Sequence, residues 1–359
     1  MTRDYSQFLP LGGQTPPPEA QASLLSRLGW QPFFSRQTDP GTLGATPPAR
    51  VTEVHRTGLR VRGDGFDDVI PAGPDATVGD WFLFDHETPA QSVLLERKSL
   101  FKRRAAGHDR RVQLIAANID TAFVVSSCNA DFNIARMERY IALAFEADVT
   151  PVILLTKADL CDDPDSYVQQ AMSISDRVVV LALNALSTEP VAKLADWCKP
   201  GQTVAFLGSS GVGKSTLVNA LFAEERAETA DIREDDAKGR HTTTSRQMHF
   251  TRDGVAVLDT PGMRELQLTD VEDGIADLFS DVTELAATCK FNDCAHETEP
   301  GCAVSAAVKA GELDPARLAR WRKLAAEDRF NSASLSERRS KDKTFGKMVR
   351  TIVKNRKKR

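Results

Sequence analysis

Gly208-Ser209-Ser210-Gly211-Val212-Gly213-Lys214-Ser215-Thr216 follows directly on the apolar run from Thr203 to Leu207. The order is strand, glycine-rich loop, helix, and every fixed position of the phosphate-loop pattern G-x-x-x-x-G-K-[ST] is filled. Glycines let backbone N–H groups turn toward an anion where a side chain would block approach. The helix starting near Lys214 points its positive end at the same place. Lys214 is expected to reach the β- and γ-phosphates of a nucleotide, and Ser215 to hold Mg²⁺ through its hydroxyl. Downstream, Val257-Leu258-Asp259-Thr260-Pro261-Gly262 puts an acid at the end of a second apolar strand. Asp259 is the expected partner of the Mg²⁺ ion, and Gly262 the backbone donor to the γ-phosphate. In isolation this run also reads as an ordinary strand and Pro-Gly turn; beside a phosphate loop the nucleotide reading prevails.

Upstream of the loop stands Leu154-Leu155-Thr156-Lys157-Ala158-Asp159-Leu160, similar to the guanine motif Asn-Lys-x-Asp, with Thr156 in place of Asn. Guanine presents an N1–H and an N2 amino group side by side, and one carboxylate, Asp159, can accept from both. Adenine offers an acceptor at N1 and is repelled. The Lys157 stem is expected along the base. Asn184-Ala185, after the apolar run Val178 to Leu183, occupies the place of a second base loop but matches the usual Ser-Ala poorly. The base motif therefore precedes the phosphate loop, whereas ordinary GTPases place it last. That order is a circular permutation, which compact domains tolerate because their termini often lie close together.

Met263 stands where Ras-like enzymes have the Gln that orients the attacking water. His241, within Gly239-Arg240-His241-Thr242-Thr243-Thr244, is the expected substitute, its alternative being a loop histidine facing RNA or solvent. One of Thr242, Thr243 and Thr244 is expected to complete the Mg²⁺ shell. The catalytic set is then His241, Lys214 and Asp259.

At 359 residues, 41% hydrophobic and 27% charged, the chain suits two or three globular domains. No apolar stretch approaches the ~20 residues needed to span a bilayer. No signal-peptide pattern is visible, so a cytoplasmic protein without membrane contact, acting as a monomer, is expected. The net charge of -4 is unevenly spread: eleven Lys or Arg face two acids between Glu337 and Arg359, which leaves -13 on the rest. A basic arm on an acidic body suggests a polyanionic partner, or a merely solvated tail.

Residues 1–48 are Pro-rich, with Leu24, Leu25, Leu28, Trp30, Phe33 and Phe34 expected on one short helix. Residues 49–105 hold five short apolar runs, Val51 to Val54, Leu59 to Val61, Phe66 to Ile70, Trp81 to Phe84 and Val93 to Leu95. They suit a five-stranded barrel of the oligonucleotide-binding (OB) type. Arg97 to Arg104 surrounds Phe101 with bases, which suits phosphate contacts plus base stacking, or a solvated linker. Residues 106–272 alternate strands and helices and carry the permuted P-loop domain. Residues 273–359 form a helical module ending in the basic arm. The fold expected is thus multidomain α/β.

Cys289, Cys294, His296 and Cys302 fall within fourteen residues. Three thiolates and an imidazole suit a closed tetrahedral structural zinc site, and Pro300-Gly301 can turn Cys302 back toward the others. An iron–sulfur cluster is the rival metal group, though it usually prefers four cysteines. Cys128, Cys161 and Cys198 read as packing residues.

The permuted order, the His241 loop, Asp259-Thr260-Pro261-Gly262, the barrel before and the Cys-rich module after together resemble the RsgA (YjeQ) family of ribosome-assembly GTPases. Ala116-Ala117-Asn118-Ile119-Asp120 is similar to that family too. The resemblance spans roughly residues 50 to 359. It implies a GTPase using GTP and Mg²⁺, with zinc on the four ligands above. Its implied partners are the small ribosomal subunit and its rRNA, which it leaves after hydrolysis to GDP. The alternatives are a zinc-stabilised rRNA-binding factor using GTP mainly as a structural ligand, which Met263 would permit, and an ATPase, which Asp159 opposes.

Overall fold

The computed structural model describes residues 23–55, 57–71, 75–104, 112–222, 246–259 and 268–332, with the side chains of Arg104 and Asp259 outside that set. The segments 1–22 and 333–359, and with them the basic arm, also lie outside it.

The first described residues form two short helices, α1 (Leu24–Arg27) and α2 (Pro32–Ser35), where one had been expected. Gly29, at φ +92°, breaks the turn between them. A Cβ there would stand 2.5 Å from the Arg50 guanidinium and 3.0 Å from the Gly201 carbonyl, so the site needs both the left-handed backbone and the missing side chain. Leu28 and Phe34 pack on Trp81 and Leu95, which docks the segment on the next unit.

The five expected short strands follow: β1 (Pro48–Val54), β2 (Leu59–Gly63), β3 (Phe66–Ile70), β4 (Trp81–Leu83) and β5 (Val93–Leu94). They pair antiparallel in the order β3-β2-β1-β4-β5 around Ala49, Val51, Leu59, Val61, Phe82 and Phe84. Next, β6 (Leu100–Arg104) and β7 (Val112–Ala117) form a separate antiparallel pair. That pair corrects the base-stacking reading of this stretch: Phe101 is 2% exposed, in the core, and Arg97 is bound to the buried Asp80 at 2.7 Å.

The nucleotide-type core then unfolds in chain order as β8 (Thr121–Ser127), α3 (Ile134–Glu146), β9 (Thr150–Thr156), α4 (Pro164–Met172), β10 (Val179–Ala182), α5 (Glu189–Leu194), β11 (Thr203–Leu207), α6 (Lys214–Leu221), β12 (Arg246–Phe250) and β13 (Ala256–Asp259). Strands β10, β9, β8, β11 and β13 lie side by side and parallel, with β12 antiparallel beyond β13. Helices cover both faces, and so β8 and β11 are buried throughout and read as unbroken apolar runs. The strand carrying the base motif, β9, precedes the phosphate-loop strand β11 in the chain, and in the sheet only β8 separates the two. Glu53 and Val54 of β1 pair with Gln247 and Arg246 of β12, which joins the first unit to the edge of this sheet. Four helices close the described chain: α7 (Glu272–Leu278), α8 (Ser280–Ala287), α9 (Ala303–Ala310) and α10 (Pro315–Ser332).

Arg50 ties these parts together. Its side chain is buried and donates to the Leu28 carbonyl (2.6 Å), the Thr203 hydroxyl (2.8 Å), the Asn118 carbonyl (3.2 Å) and the Gly79 carbonyl (3.4 Å). Burial lowers its pKa to about 10, with Asp120 and Asp80 opposing the fall, so it stays charged at neutral pH. Asp120 reinforces the joint by accepting from Lys98 Nζ and the Thr203 N–H, both at 2.8 Å. Arg50→Ala strands four acceptors and leaves a void. We expect it to lower the unfolding free energy by about 3 kcal/mol in chemical denaturation; a loss below roughly 1 kcal/mol would show that the joint is held by other contacts.

Candidate functional site

Parallel strands bring their following loops to one end of the sheet, where open α/β folds bind ligands. The phosphate loop leaves β11 there. Gly208 sits at φ +146°, and a Cβ on it would be 2.3 Å from the Val125 carbonyl of β8, so only glycine lets the loop start so close to its neighbour. Gly213 opens α6 and directs that helix's positive end into the loop. Lys214 is largely buried, with its ammonium on the carbonyls of Gly208 (2.9 Å) and Ser209.

The base motif meets this loop directly. Thr156, at the end of β9, is fully buried, and its hydroxyl lies 2.6 Å from the Val212 carbonyl and 3.1 Å from that of Ser126. Its single proton serves the nearer acceptor. Lys157 follows in left-handed backbone (φ 58°), and Ala158–Leu160 makes one tight turn that leaves Asp159 exposed at the rim. The second base loop stands alongside, because β10 pairs with β9 in the register Ala182 with Leu155. There Asn184 accepts from the Leu186 N–H (2.9 Å) and donates its own N–H to Glu189 (3.1 Å). A cavity of about 530 Å³ lined by Asn129, Phe132, Cys161, Asp163, Ser166 and Tyr167 contains no phosphate-loop residue.

One neighbour of the phosphate loop was not legible in the sequence. Arg136, in the first turn of α3, donates to the Ser209 hydroxyl at 2.5 Å. An arginine near the start of an amphipathic helix looks like a surface charge until the loop 73 residues away is placed beside it.

The four metal-type ligands converge. The ligand atoms of Cys289, Cys294, His296 and Cys302 all lie within 4.8 Å of one another. Cys289 Sγ is 3.9 Å from Cys302 Sγ, and His296 Nδ1 is 3.6 and 3.5 Å from those two sulfurs. A tetrahedral ion with sulfur at ~2.3 Å and nitrogen at ~2.0 Å requires edges of roughly 3.8 and 3.5 Å, so the cluster fits one. Burial alone would raise the Cys302 thiol, but hydrogen bonds from Ser305 and His296 outweigh it and bring it down to about 6. Glu299 pins the loop by accepting from the N–H groups of Ala295, Glu297 and Thr298 at 2.8–3.0 Å. Ser305 and Arg322 both donate to the His296 carbonyl and hold the ring's backbone in place.

A profile of the RsgA GTPase family matches residues 94–269. The small ribosomal subunit biogenesis GTPase RsgA 2 of Vibrio parahaemolyticus is 49% identical over 339 residues, covering 93% of this chain and 94% of that one. The RsgA of Mesorhizobium japonicum is 50% identical over 321 residues, covering 87% and 92%. The chain belongs to the RsgA GTPase family. Two solved structures share the fold. YjeQ from Thermotoga maritima has a TM-score of 0.56 at 25% identity, over 77% of this chain and 96% of that one. YloQ, described as a circularly permuted GTPase, has 0.53 at 23%, over 80% and 97%.

As a member of the RsgA family the chain is a GTP hydrolase, and the family implies Mg²⁺ with the nucleotide. Several expected site residues, namely His241, Thr242, Thr243, Thr244, Gly262, Met263 and the Asp259 carboxylate, lie outside the described residues. The backbone of β13 does end at Asp259 beside β11, with Leu258 opposite Ala205. Thr156→Val keeps the shape of the side chain but leaves the buried Val212 carbonyl without its donor. About tenfold weaker GDP binding is expected by fluorescence titration, and an unchanged affinity would show that the two loops are positioned independently.

Proposed function

We propose that this GTPase binds guanine nucleotide between the phosphate loop and Asp159, and hydrolyses GTP while assisting biogenesis of the small ribosomal subunit. One contact carries the site reading: Thr156 joins the base motif to the phosphate loop through the Val212 carbonyl, so both parts face one nucleotide. The subunit enters through the curated relatives, which are named for its biogenesis.

In this reading the amides of Ser209 to Thr216 and the start of α6 hold the phosphates, Lys214 spans them, and Asp159 reads the guanine edge with Lys157 along the base and Ala158 fixing the turn. Gly208, Ser210 and Gly211 complete the cradle, and Gly262 donates to the γ-phosphate. Ser215 and Asp259 would hold Mg²⁺, which neutralises charge developing on the transferred phosphoryl group when bound. His241 orients the attacking water in place of a glutamine, because the thioether of Met263 is at best a weak acceptor. Cys289, Cys294, His296 and Cys302 would hold one structural zinc. The near-tetrahedral spacing and the single imidazole favour it over an iron–sulfur cluster.

Ribosomal RNA is the polyanion proposed for the basic arm from Glu337 to Arg359, with exposed Lys102 as an additional phosphate contact. Action on ribosomal subunits supports a cytoplasmic location; separately, no described helix is long and apolar enough to cross a membrane. A monomer suffices, since phosphate loop, base motif and metal ligands all come from one chain.

GTP turnover titrated with small subunits is expected to rise steeply, whereas turnover indifferent to them would leave GTP as a structural ligand of an RNA-binding factor. His241→Ala should hold GDP affinity within about twofold and lower stimulated turnover by about 100-fold or more; full stimulated turnover in that variant removes His241 from the mechanism. Metal analysis should return one zinc per chain, lost in Cys302→Ala together with thermal stability, and a stoichiometric iron signal would reassign the centre.

A further inference from the structure

The first turn of α3 touches the phosphate loop, and the rest of that helix is clamped by the C-terminal helices. Asn133 caps α3 by accepting from the Arg136 N–H at 2.9 Å, which sets the start of the Arg136 side chain. Its guanidinium then holds the Ser209 hydroxyl while Lys214 sits on the Ser209 carbonyl, so this one loop residue is gripped from two directions. Two residues along α3, both carboxylate oxygens of the fully buried Glu138 share the Nε–H of Arg320 of α10, at 2.8 and 3.0 Å. Arg139 meets Glu327 of the same helix at 2.5 Å, and Glu146 accepts from the Gly274 N–H of α7 at 3.0 Å.

A buried carboxylate cannot release its cation without being stranded in a low-dielectric interior, so α10 and α3 must move together. Phosphate cradles, in turn, act through placement, and a displacement of about 1 Å is enough to weaken them. We propose that Arg136 is a positioning residue for the nucleotide site, and that the α10 clamp on α3 sets where it holds the phosphate loop. The C-terminal module thereby tunes nucleotide affinity through α3. The inference rests on the nucleotide site proposed above.

The test is fluorescence titration of the full chain with labelled GDP and with a non-hydrolysable GTP analogue. Arg136→Ala should weaken both by about tenfold, and Arg136→Lys should restore most of the loss. Ser209→Ala should match Arg136→Ala and add nothing to it in the double variant. Because Arg320→Ala would strand the Glu138 carboxylate, the clamp is removed as the neutral pair Glu138→Gln with Arg320→Gln. That pair should weaken both nucleotides about threefold, and not further on an Arg136→Ala background. The more exposed pair, Arg139→Ala with Glu327→Ala, should give a smaller effect of the same sign. A clamp variant that melts earlier but binds both nucleotides as before reduces the clamp to a structural role and overturns the proposal. Loss confined to the GTP analogue in Arg136→Ala would also overturn it, by making Arg136 a γ-phosphate contact. A wild-type chain that bound no guanine nucleotide would sink the site as well; wild-type binding with unchanged variants sinks this inference alone.

Discussion

The hydroxyl of Thr156 on the Val212 carbonyl is the contact on which the proposed nucleotide site depends. Strands β9 and β11 are separated by β8, and two strand spacings amount to about 10 Å. That span is of the order of the reach of a nucleotide from base to phosphates. The sheet order therefore sets the gap, and the Thr156 bond locks the two loop ends across it. The same contact explains why a threonine serves where related motifs carry asparagine: at this position the group required is a short donor to a buried carbonyl, which a hydroxyl supplies. In the proposed site, recognition of the base falls to Asp159, which is exposed at the rim.

A permuted domain has an additional problem, because its chain enters and leaves at places where the unpermuted fold is continuous. Arg50 and Asp120 meet that need. The guanidinium collects carbonyls from the N-terminal segment, the first β unit and the loop before β8, and reaches the first residue of β11. Asp120 binds the backbone of that same Thr203. The stretch Ala116 to Asp120 is thus a joint rather than part of the nucleotide site. At the other end of the domain the metal-type cluster and α10 do the equivalent work: Arg322 of α10 holds the His296 backbone, and Arg320 of the same helix holds α3.

Much of the core was legible because it obeys short-range rules. Apolar runs buried on both faces stood out as β8, β9 and β11, and the phosphate loop and the Cys-His cluster announced themselves by residue type at fixed spacing. The failures share a cause. Leu24 to Phe34 carried a helical apolar pattern, but Gly29 breaks it because Arg50, from a distant strand, needs the space. Phe101 among basic residues resembled a stacking platform, yet its strand pairs with β7 and turns the ring into the core. Arg97, grouped with those bases, is bound to Asp80. In each case the residue's own neighbours in sequence were read correctly, and a partner from elsewhere in the chain overrode them.

The sequence by itself determined the chemistry on offer: a phosphate-loop pattern, a carboxylate in a guanine-type motif, four soft groups able to hold a metal ion, and the permuted order of the first two. These follow from side-chain type and from spacings of a few residues, which local geometry converts directly into shape. Only the tertiary structure decided which distant residues meet. Arg136 reaches Ser209, Arg320 neutralises Glu138, and Arg50 gathers carbonyls from three separate segments. A charged group's role depends on what surrounds it after burial, and that environment does not exist until the whole sheet has formed.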